Sequence, residues 1–335
     1  MGFSLIVCTY MRPQALLSLL ESVKEQTTYP DEILIIDGSI NDETKRILET
    51  HITNHLNYFQ VDKTHRGLTK QRNFGISKVS PTNEIVCFLD DDTILHSDYF
   101  KEVIKTFQSD KDIIGVGGVA TNENRWKKAD RNLNYSKHNH YQLDGYVVEE
   151  GLRNRLRNYL HLQSPLLPSQ MPEFSHGRTC SYPLNSKVYD VDLLVGMSFS
   201  FRASLFKFIQ FSTYFEGYGL YEDADFCIRA QKYGKNVIVT KAQLEHHHDA
   251  LGRPNMFKYG KMVIRNGWYV WRIKYPNPSL IGKFKWYAIH LLLISIRFVN
   301  VLTTTKRRES LTDAFGRIAG CWSLLLKKPS LQAHI

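Results

Sequence analysis

Residues 4–108 alternate between short apolar runs and amphipathic stretches, and this alternation restricts the fold more than any other feature of the chain. "SLIVCTY" (4–10), "EILIIDGS" (32–39), "YFQVD" (58–62) and "EIVCFLD" (84–90) read as strands. Residues 13–26, 41–51, 68–79 and 97–108 read as helices. Pro13 suits a first helical turn, and acids open 41–51, where the helix dipole favours them. Strand and helix in turn at this spacing predict an α/β fold: a mostly parallel, mixed sheet flanked by helices on both faces. Ligands of such sheets bind at the carboxyl ends of the strands. Those ends carry Thr9 and Tyr10, Asp37, Asp62, and Asp90 to Asp92.

The alternation fails at 125–189, a polar, aromatic and then proline- and serine-rich stretch expected to have little regular structure. Strand-like sequence returns at 192–202, a helix is expected at 220–234, and a last short strand at 236–240. After 252 the character changes. Residues 282–308 are apolar with basic ends, but His290 and Arg297 interrupt a core shorter than the ~20 residues a bilayer span needs. A helix lying in the interface of an anionic membrane is the expected form, and a helical hairpin packed on the rest of the protein is the alternative. The expected division is a catalytic domain over 1–253, with halves 1–124 and 125–253, and a helical region over 254–335.

The chain has 335 residues, a net charge of +10 and 43% hydrophobic residues, enough for one large core or two smaller ones. Its basic excess suits an anionic ligand or membrane; no nucleic-acid recognition motif accompanies it. The five scattered cysteines form no Cys-x-x-Cys pair, so neither a disulfide framework nor a zinc cluster is expected. The start has no basic leader and reads as a strand, which gives a cytoplasmic enzyme as the expectation.

Against this basic background the triplet Asp90-Asp91-Asp92 closes an apolar strand. Continued strand alternation would aim Asp90 and Asp92 to one side, a poor arrangement for two anions and a good one for Mn2+ or Mg2+. A solvated turn capping the next helix is the plainer alternative. In order, "VCTYMRP", "IIDGSINDET", "GLTKQRNFGI", "FLDDD" and "YEDADFCIRAQKYG" span residues 7–234. Together they resemble the family 2 glycosyltransferases, inverting enzymes with the GT-A fold, of the kind that build bacterial surface glycans. The resemblance runs from residue 4 to about 253 and is thin between 125 and 189.

The resemblance implies roles at matching positions. Thr9, Tyr10, Arg12, Asp37 and Asp62 would line the nucleotide pocket, with Lys70 and Arg72 beside the donor diphosphate. Asp90 and Asp92 would hold the metal, and Asp90 or Asp91 would touch the ribose. Asp223 would be the base that deprotonates the acceptor, and Glu222 would bind acceptor hydroxyls or orient its neighbour; acids at a helix N-terminus need no such role. Gly217 and Gly219 precede them in a loop of close approach. In "LEHHHDALGR", His246 and His248 are the candidate further metal ligands, and Arg253 is a candidate for phosphate. The expected activity is metal-dependent inverting transfer from a nucleotide sugar, with UDP as the expected nucleotide, to a glycan or lipid-linked acceptor. The alternative is a non-catalytic relative that binds a nucleotide or glycan.

Overall fold

The computed structural model describes residues 1–178, 180–215, 217–248 and 255–331. The first elements are β1 (Phe3–Thr9), α1 (Pro13–Lys24), β2 (Glu32–Asp37), α2 (Glu43–Thr50), β3 (Leu56–Gln60), α3 (Leu68–Ile76), β4 (Ile85–Asp90), β5 (Thr93–Leu95), α4 (Tyr99–Ser109) and β6 (Ile113–Ala120). There follow β7 (Lys127–Lys128), β8 (His140–Leu143), β9 (Tyr146–Glu149), α5 (Leu152–Tyr159), β10 (Val188–Val191), β11 (Ser198–Arg202), α6 (Glu222–Ala230) and β12 (Lys235–His246). The chain closes with α7 (Met256–Lys274), α8 (Leu280–Thr303) and α9 (Arg307–Leu326). Two compact units result, one from Met1–Asn124 and Leu184–Gly252, the other from Arg125–Pro183 and Arg253–Ala333. Residues 125–183 therefore group with the C-terminal helices, whereas the sequence pattern had joined them to 184–253.

The first unit is built on a mixed nine-stranded sheet, ordered β10-β12-β6-β11-β4-β1-β2-β3, with β5 paired to β12. β1, β2, β3 and β4 pair in parallel, and β11 runs antiparallel between β4 and β6. The apolar runs of β1, β2 and β4 are buried on both faces, as parallel strands under helices must be. One face packs Leu5, Val7, Ile35 and Cys87 against Leu16 and Leu20 of α1 and Phe100 and Val103 of α4. The other carries stacked aromatics, with Phe88 over Phe199 at 5.4 Å and Phe211 over Phe226 at 4.2 Å between ring centroids. Register sets Thr9 beside Asp37 and Cys8 beside Asp90, so the polar strand ends share one edge.

Two differences from the sequence pattern matter for the site. β12 does not stop at Thr240; it passes an irregularity between Ile238 and Gln243 and runs on to His246. Its last residues pair antiparallel with β5, His246 opposite Thr93. The strand β4 ends at Asp90, and Asp91 and Asp92 lie in the turn to β5. That turn, not continued strand alternation, governs where the aspartates point.

The second unit is more ordered than its composition suggested. It holds a small antiparallel sheet, β7-β9-β8, and the helix α5. The β8–β9 hairpin turns through Asp144 (φ 52°) and Gly145 (φ 77°), the Asp-Gly pair that tight hairpins favour. The helix α8 also runs unbroken through His290 and Arg297. His290 is buried with its ring 3.9 Å from that of Trp286, and Arg297 Nε lies 2.6 Å from Asp313 Oδ2 on α9. α8 is 24 residues long with a mean hydropathy of 1.5 over its apolar window, enough by length and composition alone to cross a membrane. The helix is thus longer than the uninterrupted apolar core read from the sequence.

Candidate functional site

The polar edge of the large sheet carries two groups of acids, and most of the residues singled out from sequence fall into them. Asp91 is buried beneath the β4–β5 turn. It accepts from Thr9 Oγ1 at 2.6 Å and from Arg12 Nη1 at 3.1 Å, and the same nitrogen lies 3.3 Å from Asp92 Oδ2. Burial pushes the Asp91 carboxyl up to about 7, against the pull of the Thr9 hydroxyl and Arg12. Asp90, raised to about 6 by withdrawal from water and partly restored by Arg72, faces the opposite side of the turn.

Asp90 and Asp92 meet His246 there. One donor atom from each lies within 4.8 Å of the others, and His246 Nε2 is 3.4 Å from Asp92 Oδ1. Two carboxylates and an imidazole at that spacing fit a hard divalent cation such as Mn2+ or Mg2+, with water or ligand oxygens completing the shell. Asp92 and His246 also line a concavity of about 690 Å³, with Ala15, Ser18 and Ile94 on its other sides. His248 is not part of that trio. Its Nε2 lies 2.9 Å from Glu123 Oε1, and Glu123, His246 and His248 form a second close group. His247, which also lines that concavity, sets Nε2 2.9 Å from Glu245 Oε2.

Glu222 and Asp223 begin α6. The preceding loop takes positive φ at Gly217 (81°), Gly219 (77°) and Tyr221 (73°). Left-handed backbone costs a tyrosine far more than a glycine, so surrounding contacts must hold this turn in place. Asp223 accepts from the Gly196 N–H at 3.0 Å and the Ala224 N–H at 2.7 Å. Burial raises its pKa despite both donors. Glu222 is pushed up to about 8, by burial first and by Asp223 second. Asp225, the third acid of "YEDAD", is committed elsewhere, in a buried pair with Arg229 at 2.6 Å.

Arg72 joins the two groups. The sequence pattern set it beside a donor diphosphate; in the structure it is buried, 3% exposed. Its Nη1 lies 2.5 Å from Glu222 Oε1, and its Nη2 lies 3.6 Å from Asp90 Oδ1 and 3.2 Å from the Gly196 carbonyl oxygen. Its guanidinium also stands over the rings of Phe199 and Phe211, at 4.8 and 5.2 Å. One cation thus contacts an acid from each group and the loop that holds Asp223.

The remaining candidates stand further out. Asp37 is buried at the end of β2, where Oδ1 accepts from the Ser39 N–H and Oδ2 accepts from Tyr58 Oη at 2.8 Å. Tyr10 is 41% exposed just past β1, and Lys70 is half-buried on α3. Asp62 lies two residues past β3 and caps its own turn at Thr64 and His65, with its side chain 68% exposed. Arg253 lies outside the described residues. Sequence reasoning missed Tyr58, Gly196, Asn122 and Glu123. For the last two a signal existed: an Asn-Glu pair one residue past the apolar β6, at the same sheet edge.

Comparison with known proteins bears on the fold. Over 139 residues the chain is 28% identical to the O-antigen chain rhamnosyltransferase RfbN of Salmonella typhimurium, covering 41% of this chain and 43% of that one. It spans between 38% and 56% of the length of the curated relatives it matches. In fold it is similar to the mannosyltransferase PcManGT of Pyrobaculum calidifontis, solved with GDP-Man and Mn2+. The TM-score is 0.55 at 14% identity, over 98% of this chain and 88% of that one. It is similar also to GalNAc-T7, solved with UDP, GalNAc and Mn2+, with a TM-score of 0.53 at 15% identity, over 79% of this chain and 48% of that one. These are GT-A folds, as the resemblance implied. Residues 4–161, a little under half of the chain, match the sequence model of Glycosyl transferase family 2.

Proposed function

We propose that this protein is a metal-dependent, inverting glycosyltransferase that moves a sugar from a nucleotide sugar, a UDP-sugar in our reading, to a hydroxyl of a surface-glycan or lipid-linked acceptor. The observation that carries the reading is Arg72, which contacts Asp90 of one acid group and Glu222 of the other. A leaving-group site and an acceptor site must adjoin in a single displacement, and these two groups lie 130 residues apart in the chain yet within reach of one side chain. The match of residues 4–161 to the family 2 model and the description of both fold neighbours with Mn2+ support the same reading.

Asp90, Asp92 and His246 would hold Mn2+ or Mg2+, which when bound neutralises charge on a departing nucleoside diphosphate. Arg12 and Asp91 brace that side of the turn, and Thr9, Tyr10, Asp37, Asp62 and Lys70 are the residues we assign to the nucleotide side. Asp223 takes the proton from the acceptor hydroxyl as its oxygen attacks the anomeric carbon; the bond to the nucleotide breaks on the opposite face. The Gly196 and Ala224 N–H groups fix the carboxylate for this task. Glu222, sharing a proton range with neutral pH, orients the acceptor through hydrogen bonds. A cytoplasmic position with peripheral contact to the inner membrane face fits a lipid-linked acceptor and the exposed apolar side of α8.

The test is turnover of nucleotide sugars with and without Mn2+, in the native chain and in Asp223→Asn. The native chain should turn over only with the metal. The variant should lose about 10²–10⁴ in kcat, the span of general-base effects, while its Mn2+ affinity stays within a few-fold. A non-catalytic binding protein would bind a nucleotide sugar without turnover, and Asp223→Asn would leave that binding unchanged.

A further inference from the structure

Glu123 has no assigned role above, yet its surroundings are specific. β6 ends at Ala120, but the chain continues along β12: the Thr121 N–H donates to the Leu244 carbonyl oxygen at 2.8 Å. Asn122 then closes on the main chain of His246 from both directions. Its Nδ2 donates to the His246 carbonyl oxygen at 2.9 Å, and its Oδ1 accepts from the His246 N–H at 3.0 Å. The next side chain, Glu123, sets Oε1 3.1 Å from His246 Nδ1 and 2.9 Å from His248 Nε2. His246 is only 12% exposed at its side chain, so its ring has little freedom to turn between these partners.

The two ring nitrogens of His246 therefore meet different neighbours. Nδ1 faces Glu123, and Nε2 faces Asp92 at 3.4 Å, inside the group formed with Asp90. A neutral imidazole has one N–H and one lone pair. A carboxylate can only accept; Glu123 is the nearer one, at 3.1 Å against 3.4 Å for Asp92, and once a cation takes the aspartate side it keeps the proton on Nδ1 and leaves the Nε2 lone pair for the metal. The same hydrogen bond makes Nε2 a better donor to a metal. Asn122 adds control of the backbone on which the ring stands.

Resting on the metal reading given above, we propose that Glu123 is the positioning residue of the metal site. It fixes the tautomer and the aim of His246, and Asn122 fixes its main chain. His248 belongs to this support: it shares the Glu123 carboxylate and does not ligate the ion held by Asp90 and Asp92. The inference concerns how this chain prepares its histidine and is independent of which sugar is transferred.

The experiment titrates Mn2+ into the full chain, without nucleotide, and follows the free-ion signal by electron paramagnetic resonance. The set is the native chain, Asp92→Asn, His248→Ala, Glu123→Ala and Glu123→Gln. Glu123→Ala should weaken Mn2+ binding about 10–100-fold, the usual effect of removing the outer partner of a metal-ligating histidine. Glu123→Gln keeps an oxygen that accepts from Nδ1–H and should stay within about threefold of native binding, since the acceptor is retained. His248→Ala should leave one Mn2+ per chain. Long-range 1H–15N spectra of histidine-labelled protein loaded with diamagnetic Mg2+ give a second readout: a hydrogen-bonded Nδ1–H at His246 in the native chain and in Glu123→Gln, lost in Glu123→Ala.

If Asp92→Asn weakens binding while Glu123→Ala does not, or if Glu123→Gln is as weak as Glu123→Ala, positioning by Glu123 is wrong. Two Mn2+ per native chain, with the second lost in His248→Ala, would make Glu123 a ligand of a separate site and overturn the proposal. Absence of Mn2+ binding in the native chain would overturn the metal reading itself, and this inference with it.

Discussion

Arg72 and Glu222 pose a question of charge at the level of single residues. Both are buried, the arginine 3% and the glutamate 6% exposed, and their nearest atoms are 2.5 Å apart. Removing one partner of such a pair typically costs ~3–5 kcal/mol, because the other charge is left without water or partner. Here Glu222 has an escape, since burial and Asp223 raise its pKa to about 8, so near neutral pH it already holds a proton and leaves no bare charge when Arg72 is removed. Arg72→Ala should therefore cost less than that range, and Glu222→Gln in the same chain should recover part of the loss. A double-mutant cycle read by urea unfolding should give a coupling of at least about 1 kcal/mol, as expected for residues in direct contact. Additive effects would mean that the pair contributes only through packing against Phe199 and Phe211. The arginine also shows where residue-level reading from sequence ended. Its charge type is visible in "GLTKQRN", but its partners are 18 residues away at Asp90 and 150 away at Glu222. Only the fold decides between a donor phosphate and a buried carboxylate.

Elements with a strong period were legible, and those defined by pairing were not. The alternation over 4–108 announces four strands and four helices because apolar spacing alone specifies them, and all eight are present. The extension of β12 to His246 has no such signature. "KAQLEH" is held as strand by β5, a three-residue partner whose own sequence says little. β7, β8 and β9 are two to four residues long, too short for a period, although the Asp144-Gly145 turn was readable. The α7–α9 contact was likewise hidden, because it depends on what is missing. At Gly316 an added Cβ would fall inside van der Waals contact with the Phe257 carbonyl oxygen, and at Gly260 with that of Asp313. Alanine normally gains ~1 kcal/mol over glycine within a helix. A clash with backbone, which cannot rotate away, costs ~1–3 kcal/mol. Gly316→Ala should thus lower the thermal midpoint of the helical unit, measurable by circular dichroism; a higher midpoint would show the helices free to separate at that point.

At the scale of the whole molecule the two units differ in what they show to solvent and in how they answer pH. On the helical unit, Phe284, Leu291 and Leu302 of α8 are 73%, 65% and 80% exposed, at spacings that share a helix face. Lys306, Arg307 and Arg308 follow at its end. If that face rests on an anionic bilayer, replacing all three apolar residues by glutamine should reduce co-sedimentation with phosphatidylglycerol vesicles at least about tenfold, since each loses apolar area worth more than ~1 kcal/mol. Equal sedimentation of native and variant chains would remove the membrane from the account. The same unit buries histidines in the neutral form. Burial, then Arg157, pushes His176 down to about 4, and burial holds His290 well below its usual value. Between pH 6.5 and 4 the unfolded chain takes up a proton on His176 that the folded unit refuses, so stability falls as pH falls. At ~1.4 kcal/mol per pKa unit the loss reaches at most about 3.5 kcal/mol from His176. In the sheet unit the sign reverses. Folded Glu222 keeps its proton to about 8, while the unfolded side chain releases it near 4.5, so stability falls as pH rises across that window. Calorimetry of the metal-free chain at pH 5 and pH 8 should therefore move the two units in opposite directions. His176→Gln should abolish much of the acid-side loss, and Glu222→Gln much of the loss on the alkaline side. Parallel movement of both units in the native chain would mean that neither buried group carries its charge state through folding as assigned here.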